Sequence, residues 1–269
     1  LILKDDGTRI VYANGTFEIS GGDFVNASGT VTVKENTTGS LFAAQSVIVG
    51  SVTVSVPGLA AGLQSVSGTG LKFDVTGFVS IEGNLSFKKS GTEPNTKIMV
   101  GASGVNAFLG TADKSMGVQV TNANLGLVVY GNGTYALDAS AAAALVGFES
   151  ILSLSGTLGV RVNTTGGLVD EKVMVNGTEV KILFTAEQGN VQGFSGNVNL
   201  SIAGFVTLSG DFAFEKQVSG ATTKILVGAA NINAFLGTAD GSMGVRVTKA
   251  NLGLALFKAR IRPTPTRLR

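Results

Sequence analysis

The sequence predicts an all-β chain of long antiparallel strands joined as a meander, repeated in tandem with a period of 127 residues. Three observations carry that expectation: hydrophobic alternation with a period of two, short turn-forming clusters between the alternating runs, and self-similarity at a fixed offset. GFVSIEGNLSFKKSGTEPNTKIMVGASGVNAFLGTADKSMGVQVTNANLGL, Gly77 to Leu127, aligns without a gap on GFVTLSGDFAFEKQVSGATTKILVGAANINAFLGTADGSMGVRVTKANLGL, Gly204 to Leu254, with 31 of 51 positions identical. The same offset places GTVTVKENTTGSL, from Gly29, on GTLGVRVNTTGGL, from Gly156. The chain therefore divides into a first unit over 1–127, a second over 128–258, and a basic tail over 259–269 that breaks the pattern.

The clearest alternating run is Leu71 to Lys88. Its odd positions (Leu71, Phe73, Val75, Val79, Ile81, Leu85, Phe87) are oily and its even positions (Lys72, Asp74, Glu82, Asn84, Lys88) are wet. Unbroken, such a strand would be about 59 Å long, far beyond the usual length, so a bend is expected at Gly77 or Gly83. Similar alternation recurs over Met116–Val120, Leu125–Val129, Leu152–Val162, Val198–Phe214 and Val245–Val247. KKSGTEPNT, GTADKS, YGNGT, NTTGG, VNGT, AEQGN and QVSGATT separate the runs and supply the residues that tight reversals need. Strands joined by such short turns run antiparallel, because a parallel return needs about a dozen residues. Ala139–Leu145 is alanine-rich, but its flanks read as strand, and strand is the expectation there. Gly29, Gly83, Gly156 and Gly210 each precede an alternating strand, which hints that every unit contains two related halves. The oily faces are expected to pack as two sheets or as a flattened barrel.

Composition excludes several function classes. Apolar residues make up 44% and charged residues 14%, which is too oily for disorder, and no apolar run approaches the roughly 18 to 20 residues of a spanning helix. Three tyrosines and no tryptophan do not furnish the aromatic girdles of an outer-membrane barrel. The chain has no cysteine and no histidine, so it lacks thiolate ligands, disulfides and the commonest general base. The opening LILKDDGTRI does not read as a secretion signal. The net charge of +2 rests on Arg260, Arg262, Arg267 and Arg269; without these four it falls to −2, and no basic stripe interleaved with aromatics suggests nucleic acid.

The motifs most faithfully repeated are NAFLGTAD, from Asn106 and Asn233, and ANLGL, from Ala123 and Ala250. GTADKSMG and GTADGSMG lack the closely spaced acids of a calcium loop; they read as hairpin turns in which Asp113 and Asp240 bond local backbone amides. Asp170 and Glu171 are adjacent, so in a strand they point to opposite faces rather than forming a carboxylate pair. No GxSxG elbow or glycine-rich phosphate loop occurs in a strand-to-helix setting. No catalytic, cofactor-binding or metal-ligating residue is singled out, and the chain is not expected to be an enzyme. Asn14, Asn26, Asn36, Asn84, Asn132, Asn163, Asn176 and Asn199 each begin an N-x-S/T triplet. The tail ARIRPTPTRLR replaces the sequence that follows NLGL in the first unit. A permissible back-translation has a neighbouring frame that restores TYA and AL, so the tail is expected to be a frame error, disordered and without function.

The combination GFVSIEGNLSF, KILVGA, NAFLGTAD, GVRVT, ANLGL, GTYALDAS and GTLGVRVNTTG resembles the long tandem repeats of giant bacterial extracellular, adhesin-like proteins, over essentially Gly7 to Lys258. The resemblance implies a secreted or cell-surface location and a structural role as spacer or scaffold. It carries over no functional residue. On this view the partners are neighbouring repeats of the same chain and copies associating through exposed strand edges. A β-groove carrying lipid is the alternative. Phe73, Phe87, Phe205 and Phe214 separate the two: they touch a facing sheet in a closed scaffold and line an open channel in a lipid carrier.

Overall fold

The computed structural model describes residues 1–20, 25–75, 79–91, 95–220 and 222–259. Its strands are β1 (Ile2–Leu3), β2 (Arg9–Ser20), β3 (Val25–Asn36), β4 (Gln45–Val49), β5 (Val52–Val56), β6 (Gln64–Val75), β7 (Val79–Ser90), β8 (Lys97–Gly110) and β9 (Gly117–Tyr130). There follow β10 (Tyr135–Val146), β11 (Leu152–Asn163), β12 (Val169–Val175), β13 (Thr178–Phe184), β14 (Val191–Ile202), β15 (Val206–Ser219), β16 (Thr222–Gly237) and β17 (Gly244–Ala259). The only helical element among the described residues is a single 3-10 turn, Ala186–Gln188. Ala139–Leu145 is strand, as the sequence predicts. The alanines make a thin strand that pairs with β9 and β11 on its two sides.

Thirteen strands form one antiparallel sheet in the order β1-β2-β3-β6-β7-β8-β9-β10-β11-β14-β15-β16-β17. This takes the place of the expected pair of packed sheets or flattened barrel. Turns as short as Ala203–Phe205 return each strand beside its predecessor, so the chain keeps adding to one sheet. Among the described residues it leaves the sheet twice, between β3 and β6 and between β11 and β14, and each excursion carries a hairpin, β4–β5 or β12–β13.

The run Leu71–Lys88 crosses two strands rather than bending within one. Val75 pairs with Val79 and Phe73 with Ile81 across an antiparallel reversal, so the odd residues still share a face. Gly77 lies outside the described residues, as do residues 92–94 of KKSGTEPNT, Ala221 of QVSGATT and residues 260–269 of the tail. Gly83 marks a bulge against β8, where a Cβ would approach Val105 Cα to 2.9 Å. Val198–Phe214 likewise spans the reversal between β14 and β15, where Ile202 pairs with Val206.

Register gives the sheet two different faces. One cross-strand row runs Val31, Gly68, Leu85, Ala102, Leu125, Ala139, Val160, Phe194, Phe214, Val227, Leu254, apolar or glycine throughout. The opposite face is dominated by small and polar residues, among them Gly101, Gly126, Asp138, Arg161 and Gly193, which are neighbours in one row. The principal buried core lies on this second face. Val169, Val173, Val175, Val180, Ile182 and Phe184 of β12–β13 close over Met99, Val128, Ala136 and Val191.

Candidate functional site

The hairpin β12–β13 and the strands beneath it form the most constructed surface of the molecule. Asn176 and Gly177 both adopt left-handed backbone, with φ of 46° and 79°, as a two-residue hairpin turn of the primed type requires. Alternation then puts Val173, Val175, Val180 and Ile182 underneath and Lys172, Met174, Lys181 and Leu183 on top. Glycine provides the seat. A Cβ on Gly101 would lie 2.5 Å from Val173 Cγ1 and 2.6 Å from Val175 Cγ2, and one on Gly126 would lie 2.6 Å from Ile182 Cγ1. The glycines of KIMVGA and ANLGL therefore let valine and isoleucine side chains rest on bare backbone.

Polar contacts rim this seat. Lys97 Nζ lies 2.6 Å from Glu171 Oε1, and Tyr130 donates its hydroxyl to the same oxygen at 3.5 Å. Burial, with the Glu171 charge beside it, raises the Tyr130 pKa. Arg161 Nε donates to Asp138 Oδ2 at 3.0 Å, a guanidinium nitrogen donates to the Leu183 carbonyl, and the guanidinium lies 4.4 Å from the Phe184 ring centroid. Asp170 is exposed while Glu171 faces the sheet, the opposition expected from adjacent positions on a strand. The other hairpin, β4–β5, is exposed along almost its whole length.

Asp113 and Asp240 occupy matching turns. Asp113 Oδ1 accepts from Thr111 Oγ1 at 2.7 Å, Ser115 Oγ at 2.7 Å and Ser115 N at 3.1 Å; Asp240 Oδ1 accepts from Thr238 Oγ1, Ser242 Oγ and Ser242 N. These bonds, led by the threonine hydroxyl, lower both carboxyls to about 2. Among the described residues no group of three or more acids gathers as a metal site. Of the asparagine triplets, Asn36 and Asn163 are 0% and 1% exposed. Asn36 donates to the Ser40 and Leu59 carbonyls and Asn163 to the Gly167 carbonyl, so each closes a loop leading to a hairpin and neither is open to modification in the folded chain.

On the oily face Phe73 and Phe87 are 43% and 41% exposed, and no second sheet faces them among the described residues; Phe205, in the turn between β14 and β15, is 54% exposed. Phe214 is half-buried against Phe194, with ring centroids 5.5 Å apart. Around that pair Leu154, Leu158, Val198 and Phe212 form an open apolar trough of 630 Å³. No helix among the described residues is long and apolar enough to cross a membrane. Sequence reasoning marked VNGT as a turn but missed the hairpin's place above the strands; the NG signal is local, whereas its seat is 50 to 75 residues away in the chain. The chain matches no protein-family model, no curated protein and no solved structure.

Proposed function

We propose that the chain is a structural repeat segment of a large extracellular bacterial stalk, fibre or matrix protein, a scaffold without catalysis. The observation that supports this most is the recurrence of the strands at the sequence period. β3 (Val25–Asn36) and β11 (Leu152–Asn163) have bounds separated by 127 residues at both ends, and so have β6 (Gln64–Val75) and β14 (Val191–Ile202). In both units a hairpin is inserted after a loop that an asparagine closes, at Asn36 and at Asn163. A unit of six sheet strands adds about 29 Å to the sheet at ~4.8 Å per strand, so successive units lengthen the body without a new kind of contact. The reactive-group inventory, with neither histidine nor cysteine, suits a passive element.

A second function is favoured by the apolar trough at Phe194 and Phe214, an open surface suited to an acyl chain. Native mass spectrometry with lipid extraction separates the two. A lipid-free, elongated particle is the result expected of a scaffold. Acyl chains co-purifying in stoichiometric amount would replace it with a lipid-binding groove.

A further inference from the structure

The seat beneath β12–β13 has a vacant counterpart. Offset by the sequence period, Met99, Gly101, Gly126, Val128 and Tyr130 correspond to Leu226, Gly228, Gly253, Ala255 and Phe257 on β16 and β17. Leu226 pairs with Ala255 and Gly228 with Gly253, as Met99 pairs with Val128 and Gly101 with Gly126. Yet among the described residues a Cβ on Gly228 or Gly253 meets nothing within 4 Å, whereas on Gly101 and Gly126 it would run into the hairpin. Glycine stands at both pairs of positions, and only one pair is covered.

The vacant seat is matched by an unseated hairpin. Counted outward from the turn, Val47, Val49, Val54 and Val56 of β4–β5 take the places of Val173, Val175, Val180 and Ile182 of β12–β13. The registers agree: Val47 pairs with Val54 and Gln45 with Val56, as Val173 pairs with Val180 and Glu171 with Ile182. Val47, Val49 and Val54 are exposed.

The sheet edges complete the match. β2 stands to β3 as β10 stands to β11, since Ile10 pairs with Asn36 and Ala136 with Asn163. The outer edge of β2 is therefore the one to which β9 is paired in the middle of the molecule. β1 covers it only at Ile10 and Arg9. The counterpart of β9 is β17, whose outer edge is the end of the sheet among the described residues. Transferring the β9–β10 register, in which Val120 pairs with Ala143 and Gln119 with Ala144, sets Val247 opposite Phe17 and Arg246 opposite Glu18. Arg246 and Glu18 are both exposed and carry opposite charges.

We propose that a second copy of this chain binds head to tail, pairing its β2 edge with β17 of the first copy and seating its β4–β5 hairpin on Gly228 and Gly253. The interface is heterologous, so it leaves the next β17 and the next hairpin free and builds an open-ended array. The proposal deepens the scaffold function and rests on it, because it transfers contacts within the chain to contacts between chains. A strand edge alone would accept many partners; the hairpin over bare glycine backbone supplies shape and fixes register.

The absence of cysteine makes the test direct. Glu18→Cys and Arg246→Cys chains, each purified and then mixed under mild oxidation, are expected to form a mixed disulfide dimer, because directly opposed antiparallel residues fall within disulfide reach. The double variant is expected to give a ladder of oligomers. Dimers of Glu18→Cys with itself as the main product would show symmetric edge pairing and overturn the proposal, as would no cross-link at all. Sedimentation velocity provides a second readout. Gly228→Val and Gly253→Val are expected to weaken self-association at least tenfold without lowering the thermal midpoint of the monomer; association unaffected by both would also overturn it. The scaffold function fails separately, on stoichiometric lipid, whatever the cross-links show.

Discussion

Lys97 and Glu171, 74 residues apart in the chain, are joined by an ion pair in which Lys97 Nζ lies 2.6 Å from one carboxylate oxygen and 2.8 Å from the other. The pair ties the rim of the hairpin β12–β13 to β8, and Tyr130 of β9 adds its hydroxyl to the same carboxylate. Two consecutive strands and a hairpin distant from them in sequence thus meet at one charged group beside an aliphatic core.

Glu171→Gln is expected to weaken the hairpin's attachment by about 1 kcal/mol, a value reduced by the partial exposure of both side chains. Native-state hydrogen exchange checks this. Amides of β12 and β13 should lose protection roughly fivefold, with β14 and β15 unaffected. The difference from the parent chain should shrink as salt rises.

Gly101→Val and Gly126→Val are expected to destabilise the folded chain by about 1–3 kcal/mol each, because the new side chain enters space held by Val173, Val175 and Ile182. Denaturant melts provide the measure. Valine is otherwise the better strand residue, so unchanged or raised stability at either position would mean that the hairpin does not rest there.

Strand identity was legible residue by residue. Alternation from Leu71 to Lys88 and around Leu125 assigns faces correctly, because every second residue of a strand shares an environment whichever strand it belongs to. For the same reason it hid the reversal at Val75 and Val79, which preserves the odd-even phase across the turn. The expectation of two facing sheets failed where burial was inferred from oiliness alone. Phe73, Phe87 and Leu85 lie on an open face. The repeated glycines of KILVGA and ANLGL were visible as motifs, but their purpose was not. A glycine that receives another segment's side chain leaves the same trace in sequence as one that bends a strand.

The turns at Asp113 and Asp240 are expected to hold at neutral pH and to weaken in strong acid. Their carboxyls titrate at about 2, below the ordinary 3.8, so the turn's contribution is fully present above the ordinary value and is lost as pH falls through the folded one. Carboxyl carbon shifts followed by NMR should show both midpoints near 2. Thr111→Val removes the largest cause and should raise the Asp113 midpoint towards 3.8 while leaving Asp240 in place. A midpoint for Asp113 that the substitution did not move would assign the depression to some other group.

Lys249 presents a local conflict that its counterpart in the first unit avoids. Asn106 Oδ1 accepts a hydrogen bond from the Asn122 backbone N–H at 3.1 Å, and Asn233 Oδ1 accepts one from the Lys249 N–H at 3.2 Å. The bulged residues adopt left-handed backbone in both cases, with φ of 51° at Asn122 and 52° at Lys249. Asparagine tolerates that region through its short polar side chain, whereas lysine pays the full steric penalty of its Cβ. Lys249→Asn is therefore expected to stabilise the chain by about 0.5 kcal/mol and Lys249→Gly by about 1 kcal/mol, with Asn122→Lys losing a similar amount. Asn233→Ala removes the acceptor that holds the bulge, so it should abolish most of the gain when combined with Lys249→Gly, a coupling that a double-mutant cycle in urea reads directly. Additive effects in that cycle would mean that the backbone conformation at residue 249 is set by the strand pairing alone and owes nothing to Asn233.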